Sequence, residues 1–151
     1  MEAREIMSSD VISVKRNTTI EEIAHLLADN NISGVPVVDD DGRVIGMVTQ
    51  KDLLYKDVEP RFPAVVQLLG GTIFLKGVKH YNEELKKLVA TKAEDIMTKQ
   101  IVTVNANAKV ERIAQLMVDK DINRIPVVDD GKLVGIVGRA DIVRYIAKML
   151  E

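Results

Sequence analysis

With 151 residues, no cysteine and a net charge of −2, the chain is excluded from several classes at once. No thiol is present to form a disulfide, a thiolate metal site or a nucleophile, and the balanced charge gives no general pull toward nucleic acid or an anionic membrane. A hydrophobic share of 46% with only 3% aromatic residues leaves Val, Ile, Leu, Met and Ala to build the core of a globular protein, either one domain or two half-sized units.

The start of the chain carries Glu2, Arg4 and Glu5 before any apolar run, so a signal peptide is not expected. No apolar stretch approaches the roughly 18 residues that span a bilayer, and a cytoplasmic protein is the expectation. Val11 to Val14 is a short β-branched run that predicts a brief strand. Thr18 and Thr19, three residues before Glu21 and Glu22, are N-cap choices for a helix whose apolar face is Ile20, Ile23, Ala24 and Leu27. Val35 to Val38 is continuously apolar and predicts a strand buried on both faces. Asp40-Asp41-Gly42-Arg43 is a turn, Val44 to Val48 the returning strand, and a second helix starts near Lys51 and runs through Leu53-Leu54.

Residues 58 to 90 read differently. Pro60-Arg61-Phe62-Pro63 breaks the pattern, Gly70-Gly71 interrupts an apolar stretch, and Tyr81 to Ala90 predicts an amphipathic helix. The segment reads as a structured connection covering apolar surface, or alternatively as a surface for subunit association or a lid.

The first pattern then returns. Ile101 to Val104, a helix with Val110, Ile113, Ala114 and Met117 on its apolar face and Asn107 as its cap, Ile125 to Val128, Asp130-Gly131-Lys132, Leu133 to Val137 and a helix from Ala140 repeat the order. Aligning Ala3 with Ala93 keeps the copies in step except for the extra Asp41, with about twenty of about fifty positions identical. The chain is therefore two β-α-β-β-α units, residues 1–57 and 91–151, joined by residues 58–90. A unit of this size is marginal alone, so an α/β (α+β) fold is expected in which the repeats pack sheet against sheet as a pseudo-twofold pair with clefts between them.

The sequence Val35-Pro36-Val37-Val38-Asp39 followed by Gly46-Met47-Val48-Thr49-Gln50-Lys51-Asp52 resembles the cystathionine β-synthase (CBS) domain. Ile125-Pro126-Val127-Val128-Asp129 with Gly135-Ile136-Val137-Gly138-Arg139-Ala140-Asp141 resembles it again. Two such copies are similar to a CBS pair, or Bateman module. The resemblance implies a stand-alone, non-catalytic sensor binding AMP, ADP, ATP or S-adenosylmethionine in the clefts between repeats. It also implies a homodimer of pairs and an unknown regulated protein. The alternative is a ligand-independent interaction or oligomerisation module.

By the same resemblance, Thr49 lies near phosphate or ribose and Asp52 on the ribose hydroxyls, while the pair also reads as a cap on its own helix. In the second copy Gly138 replaces Thr49 and Asp141 remains, with Arg139, like Lys51 in the first copy, the nearest cation. Arg124 occupies a position where the family grips phosphate, and its counterpart is Gly34; a guanidinium suits that task because it binds phosphate bidentately. Ser13 and Thr103 would line the adenine pocket, Val35-Pro36 and Ile125-Pro126 would wall it, and Asn123 adjoins Arg124. Unequal clefts are expected, with phosphate held best near Arg124.

His25 reads as a solvated helix residue and Asp39-Asp40-Asp41 as a turn, so no metal site is expected. No nucleophile or acid–base pair is evident, which argues against an enzyme. The even charge and the lack of a recognition element argue against nucleic acid.

Overall fold

A computed structural model describes residues 1–55 and 91–151; the helix predicted over Tyr81 to Ala90 lies outside the described residues. The architecture is mixed α/β. The first copy gives α1 (Ala3–Ile6), α2 (Ile20–Asp29), β1 (Gly34–Val38), β2 (Val44–Thr49) and α3 (Gln50–Tyr55). The second gives α4 (Ala93–Ile96), β3 (Val104–Asn105), α5 (Val110–Asp119), β4 (Arg124–Asp129), β5 (Lys132–Gly138) and α6 (Arg139–Met149).

The opening strands are shorter than their β-branched runs suggest. In the first copy only Val14 bridges to Val37, in parallel: its N–H donates to Pro36 O at 2.9 Å, and Val38 N–H donates back to Val14 O at 2.9 Å. The next rung toward the N-terminus would need an N–H on Pro36, which proline lacks. Pro126 imposes the same limit on the second copy, where β3 is two residues long and pairs with Val127 and Val128.

Capping follows the sequence in one copy and departs from it in the other. Thr19 Oγ1 accepts from Glu22 N–H at 3.3 Å and Glu22 Oε2 accepts from Thr19 N–H at 3.0 Å, a closed capping box. Asn107, expected to cap α5, does not. The helix begins two residues later than an Asn107 cap requires, with Lys109 at the N-cap and no side-chain cap. Its start is satisfied otherwise, by Val110 N–H donating to Met1 O at 3.2 Å.

The hairpins differ as the extra residue demands. Between β4 and β5 the turn is Asp130-Gly131, with φ of 50° and 77°, the paired positive values of a type I′ turn. The first hairpin is longer and needs positive φ only at Gly42, 82°.

The chain divides into two compact units that exchange their leading segments. One unit holds Met1–Ile12, Asp40–Val44 and Ile101–Glu151; the other holds Ser13–Asp39 and Ile45–Gln100. In the first of these, Ala3 and Arg4 N–H donate to Ala108 O and Ala106 O at 2.8 and 3.0 Å, and Ser8 exchanges backbone hydrogen bonds with Ile136 at 2.9 and 3.0 Å. In the second, Ala93 and Glu94 N–H donate to Thr18 O and Arg16 O at 2.8 and 3.0 Å, and Thr98 does the same with Met47 at 2.9 and 3.0 Å. Ala3 and Ala93 are fully buried, each under the helical unit of the other copy.

Each unit has its own aliphatic core. Ala3, Val104, Val110, Ile113, Met117, Ile125, Val127, Val137 and Ile142 form one contiguous cluster. In the other unit Val14, Ile20, Ile23, Leu27, Val35, Val37, Val48, Leu53, Ala93 and Ile96 are buried. All five residues of β1 are buried, as a strand covered on both faces requires.

Candidate functional site

Each unit carries the end of a β-hairpin feeding a helix, where Gly34, Thr49 and Asp52 gather in one unit and Arg124, Gly138 and Asp141 in the other. In the unit containing β1, Gly34 faces Thr49: a Cβ built on Gly34 would lie 3.0 Å from Thr49 Cγ2 and 3.2 Å from Val48 O. Thr49 precedes α3, and Gln50 N–H donates to Ser33 O at 2.9 Å, tying the helix start to the entry of β1.

Thr49 and Asp52 cap the helix reciprocally. Thr49 Oγ1 accepts from Asp52 N–H at 3.3 Å, while Asp52 Oδ2 accepts from Thr49 N–H at 3.0 Å and from Thr49 Oγ1 at 3.2 Å. The capping reading of this pair is thus realised. Asp52 is 5% exposed, and its Oδ1 accepts from Thr98 Oγ1 at 3.1 Å. Lys51 projects into solvent, Val35 and Pro36 are buried, and Ser13 is exposed. Ser13 lines an open depression of about 460 Å³ along α2 together with Lys15, Thr18, His25 and Leu26, a lining that includes none of Gly34, Thr49 or Asp52.

The unit containing β4 solves the same position differently. Arg124 pairs across the hairpin with Gly138, and Arg139 N–H donates to Asn123 O at 3.0 Å. Gly138 N–H donates to Asp141 Oδ2 at 2.7 Å, so the acidic half of the cap survives the loss of the threonine. Asp141 Oδ1 is ion-paired with Arg144. Arg124 is half-buried, and that burial lowers its pKa from the ordinary guanidinium value, because a guanidinium shielded from water holds its charge less favourably. Arg139 is exposed and pairs with Asp121 at 3.4 Å. Ile125 and Pro126 are buried; Thr103 and Asn123 are exposed.

Two partners were not visible in the motifs. Thr98 and Arg144 each engage the motif aspartate of their unit, one from a distant segment and one from the next helical turn. The duplication held a signal for the first, since Ser8 and Thr98 are equivalent hydroxyl residues. Chemically, each site offers a buried carboxylate able to accept from vicinal hydroxyls, and among the described residues only the β4 unit adds a half-buried guanidinium suited to a phosphate. Among the described residues no cluster of three or more His, Cys, Asp or Glu could hold a metal, and no helix is long and apolar enough to cross a membrane.

Comparison with known proteins bears on the family and the fold. The family model described as CBS domain matches residues 3–59 and 93–148. Uncharacterized protein MJ1426 of Methanocaldococcus jannaschii is 32% identical, over 95% of this chain and 89% of that protein. Other relatives are longer, the chain spanning 31% of one and 58% of another. Among solved structures, CBSX2 in complex with AMP superimposes with a TM-score of 0.74 at 25% identity, covering 99% of this chain and 98% of that one. The CBS domain pair of protein MJ0100 in complex with 5′-methylthioadenosine and S-adenosyl-L-methionine gives 0.70 at 26% identity, with the same coverage.

Proposed function

The chain belongs to the CBS domain family, and from that premise we propose that it is a regulatory, non-catalytic module that binds an adenosine derivative and signals to a partner protein. AMP, ADP, ATP and S-adenosylmethionine are the ligands in view. The observation that carries the reading is the β4 unit's pairing of a half-buried Arg124 with a residue that has no side chain, beside a helix start whose acidic cap is Asp141. A cation for phosphate thus stands at the start of β4, next to Ile125 and Pro126, and a carboxylate for ribose in the first turn of α6. The N-terminus of α6, eleven residues long, adds its own preference for an anion. The complexes of CBSX2 with AMP and of MJ0100 with methylthioadenosine and S-adenosylmethionine support the ligand class.

Association into a homodimer belongs to the same proposal. Val143 on α6 and Leu150 just past its end are 63% and 82% exposed, with Ile146 exposed as well, an apolar surface that a second copy would cover. That surface also favours the second reading, in which the module associates without needing a ligand. A cytoplasmic setting is proposed as well, since adenosine derivatives are plentiful there. Signalling would follow from population shift, the ligand favouring whichever arrangement of the protein binds it better.

Calorimetry and thermal unfolding with millimolar AMP, ATP and S-adenosylmethionine test this directly. A ligand that binds only the folded chain must raise its melting temperature. A shift with at least one of the three is expected. No heat and no shift with any of them would leave the association reading in its place.

A further inference from the structure

We propose that Thr98 is a positioning residue for Asp52, so that recognition of a ribose cis-diol in the β1 unit depends on a hydroxyl from the exchanged segment. The inference rests on the reading of Asp52 as a sugar-binding carboxylate, and it adds the residue that sets that carboxylate's orientation.

Thr98 lies 46 residues from Asp52 in sequence, yet its Oγ1 donates to Asp52 Oδ1 at 3.1 Å. The other carboxylate oxygen receives Thr49 N–H and Thr49 Oγ1, so the two oxygens are held from opposite sides by different elements. Such a carboxylate cannot turn about its last side-chain bond without losing a hydrogen bond to a charged acceptor, among the stronger kinds in proteins. It meets a ligand in one orientation. The alternative, a carboxylate anchored only by its own helix cap, would keep a rotational freedom that a diol must freeze out on binding.

Thr98 is itself fixed. Its N–H donates to Met47 O at 2.9 Å and its carbonyl accepts from Met47 N–H at 3.0 Å. One residue earlier, Met97 packs on Gly46, where a Cβ would come within 2.6 Å of Met97 Sδ. At the other end of the segment, Ile20 N–H donates to Thr91 O and Ala93 N–H to Thr18 O, both at 2.8 Å. The hydroxyl is therefore presented by a strip of chain bonded to β2 and to the start of α2, not by a free loop.

The other unit is built differently at this point. The position equivalent to Thr98 is Ser8, and Asp141 Oδ1 takes the guanidinium of Arg144, whose side chain is 68% exposed. An ion pair whose cation is largely exposed orders its partner weakly because solvent screens it and the long side chain resists confinement. Sharp selection of the diol thus belongs to the Asp52 unit.

The test compares adenosine with 2′-deoxyadenosine by calorimetry on the full chain carrying Asp141→Asn, which leaves Asp52 as the one remaining carboxylate of the two proposed ribose contacts. The parent is expected to favour adenosine. Thr98→Val should reduce that preference by roughly tenfold, the loss expected for one hydrogen bond to a charged group, while Thr98→Ser keeps it. A loss of stability alone moves both ligands together and leaves the ratio untouched. If Thr98→Val does not fold, Thr98→Cys, close in volume and a weak donor, carries the same expectation. An unchanged ratio in the valine or cysteine variant, alongside a reduced one in Asp52→Asn, overturns the role of Thr98 and spares the site. An unchanged ratio in Asp52→Asn as well overturns the site reading and this inference with it.

Discussion

Arg124 and Gly138 are direct cross-strand partners, and so the two departures between the copies are one compensated change. Where the first copy sets Thr49 against Gly34, the second sets Arg124 against Gly138. Each hairpin carries one side chain and one vacancy at this rung, with their places exchanged. Neighbouring side chains on paired strands approach within about 4.5–5.5 Å, so a large one on both strands would crowd the helix start that follows.

The compensation has a measurable consequence. Gly34→Arg in the wild-type chain brings a Cβ against Thr49 Cγ2 and Val48 O, and should cost about 1–3 kcal/mol of stability. Adding Thr49→Gly should recover part of that loss, although it removes a hydroxyl cap. Urea unfolding of both singles and the double gives the coupling. Strictly additive losses would show the pair to be independent.

Arg124 sets stability against binding. Its burial disfavours the charged form, so the folded pKa lies below the unfolded one and the unfolded chain holds its proton more tightly. By linkage the resulting destabilisation is fully present at all pH values below the folded pKa, including neutrality. It is relieved only as pH rises through the strongly alkaline window between the lowered folded value and the ordinary guanidinium value. Arg124→Met should therefore leave stability at pH 7 unchanged or raised while weakening AMP about tenfold or more and adenosine hardly at all. Equal weakening of both ligands would remove the phosphate role.

Gly46 and Gly135 reverse an ordinary expectation. Alanine usually improves a strand glycine, by roughly 0.5–1 kcal/mol. Here a Cβ on Gly46 meets Met97 Sδ at 2.6 Å and Thr98 O at 3.1 Å, and one on Gly135 meets Met7 and Ser8 O in the same way. Both Gly→Ala variants should lose about 1–3 kcal/mol in denaturant unfolding. A gain at either position would mean that the leading segment is held loosely over the strand.

The exchange of leading segments predicts how the chain can be divided. A polypeptide of residues 1–90 lacks Ala93 and Thr98, and one of residues 91–151 lacks Ala3 and Met7, so each is missing part of both units. Separately they should show weak helical circular dichroism and no cooperative melting. Mixed, they should regain both. Cooperative folding of either piece alone would contradict the mutual completion.

The duplication, the apolar faces of α2 and α5, the buried β1 and the Asp130-Gly131 turn were all legible in the sequence, because each follows from spacing within a few residues. The Thr19–Glu22 box was legible for the same reason. Asn107 misled, since residue type suggested a cap that the helix start at Val110 does not use. The shortened opening strands could have been read from Pro36 and Pro126 by asking which rung lacks an N–H donor. Gly34, Thr49, Arg124 and Gly138 stood out singly, as differences between copies, but their pairing is a property of hairpin register. The engagement of Thr98 with Asp52, and of Ala3 and Ala93 with the opposite copy, came only with tertiary structure. Periodicity records which face of an element is apolar, whereas the choice of which copy covers that face is made by packing between segments far apart in the chain.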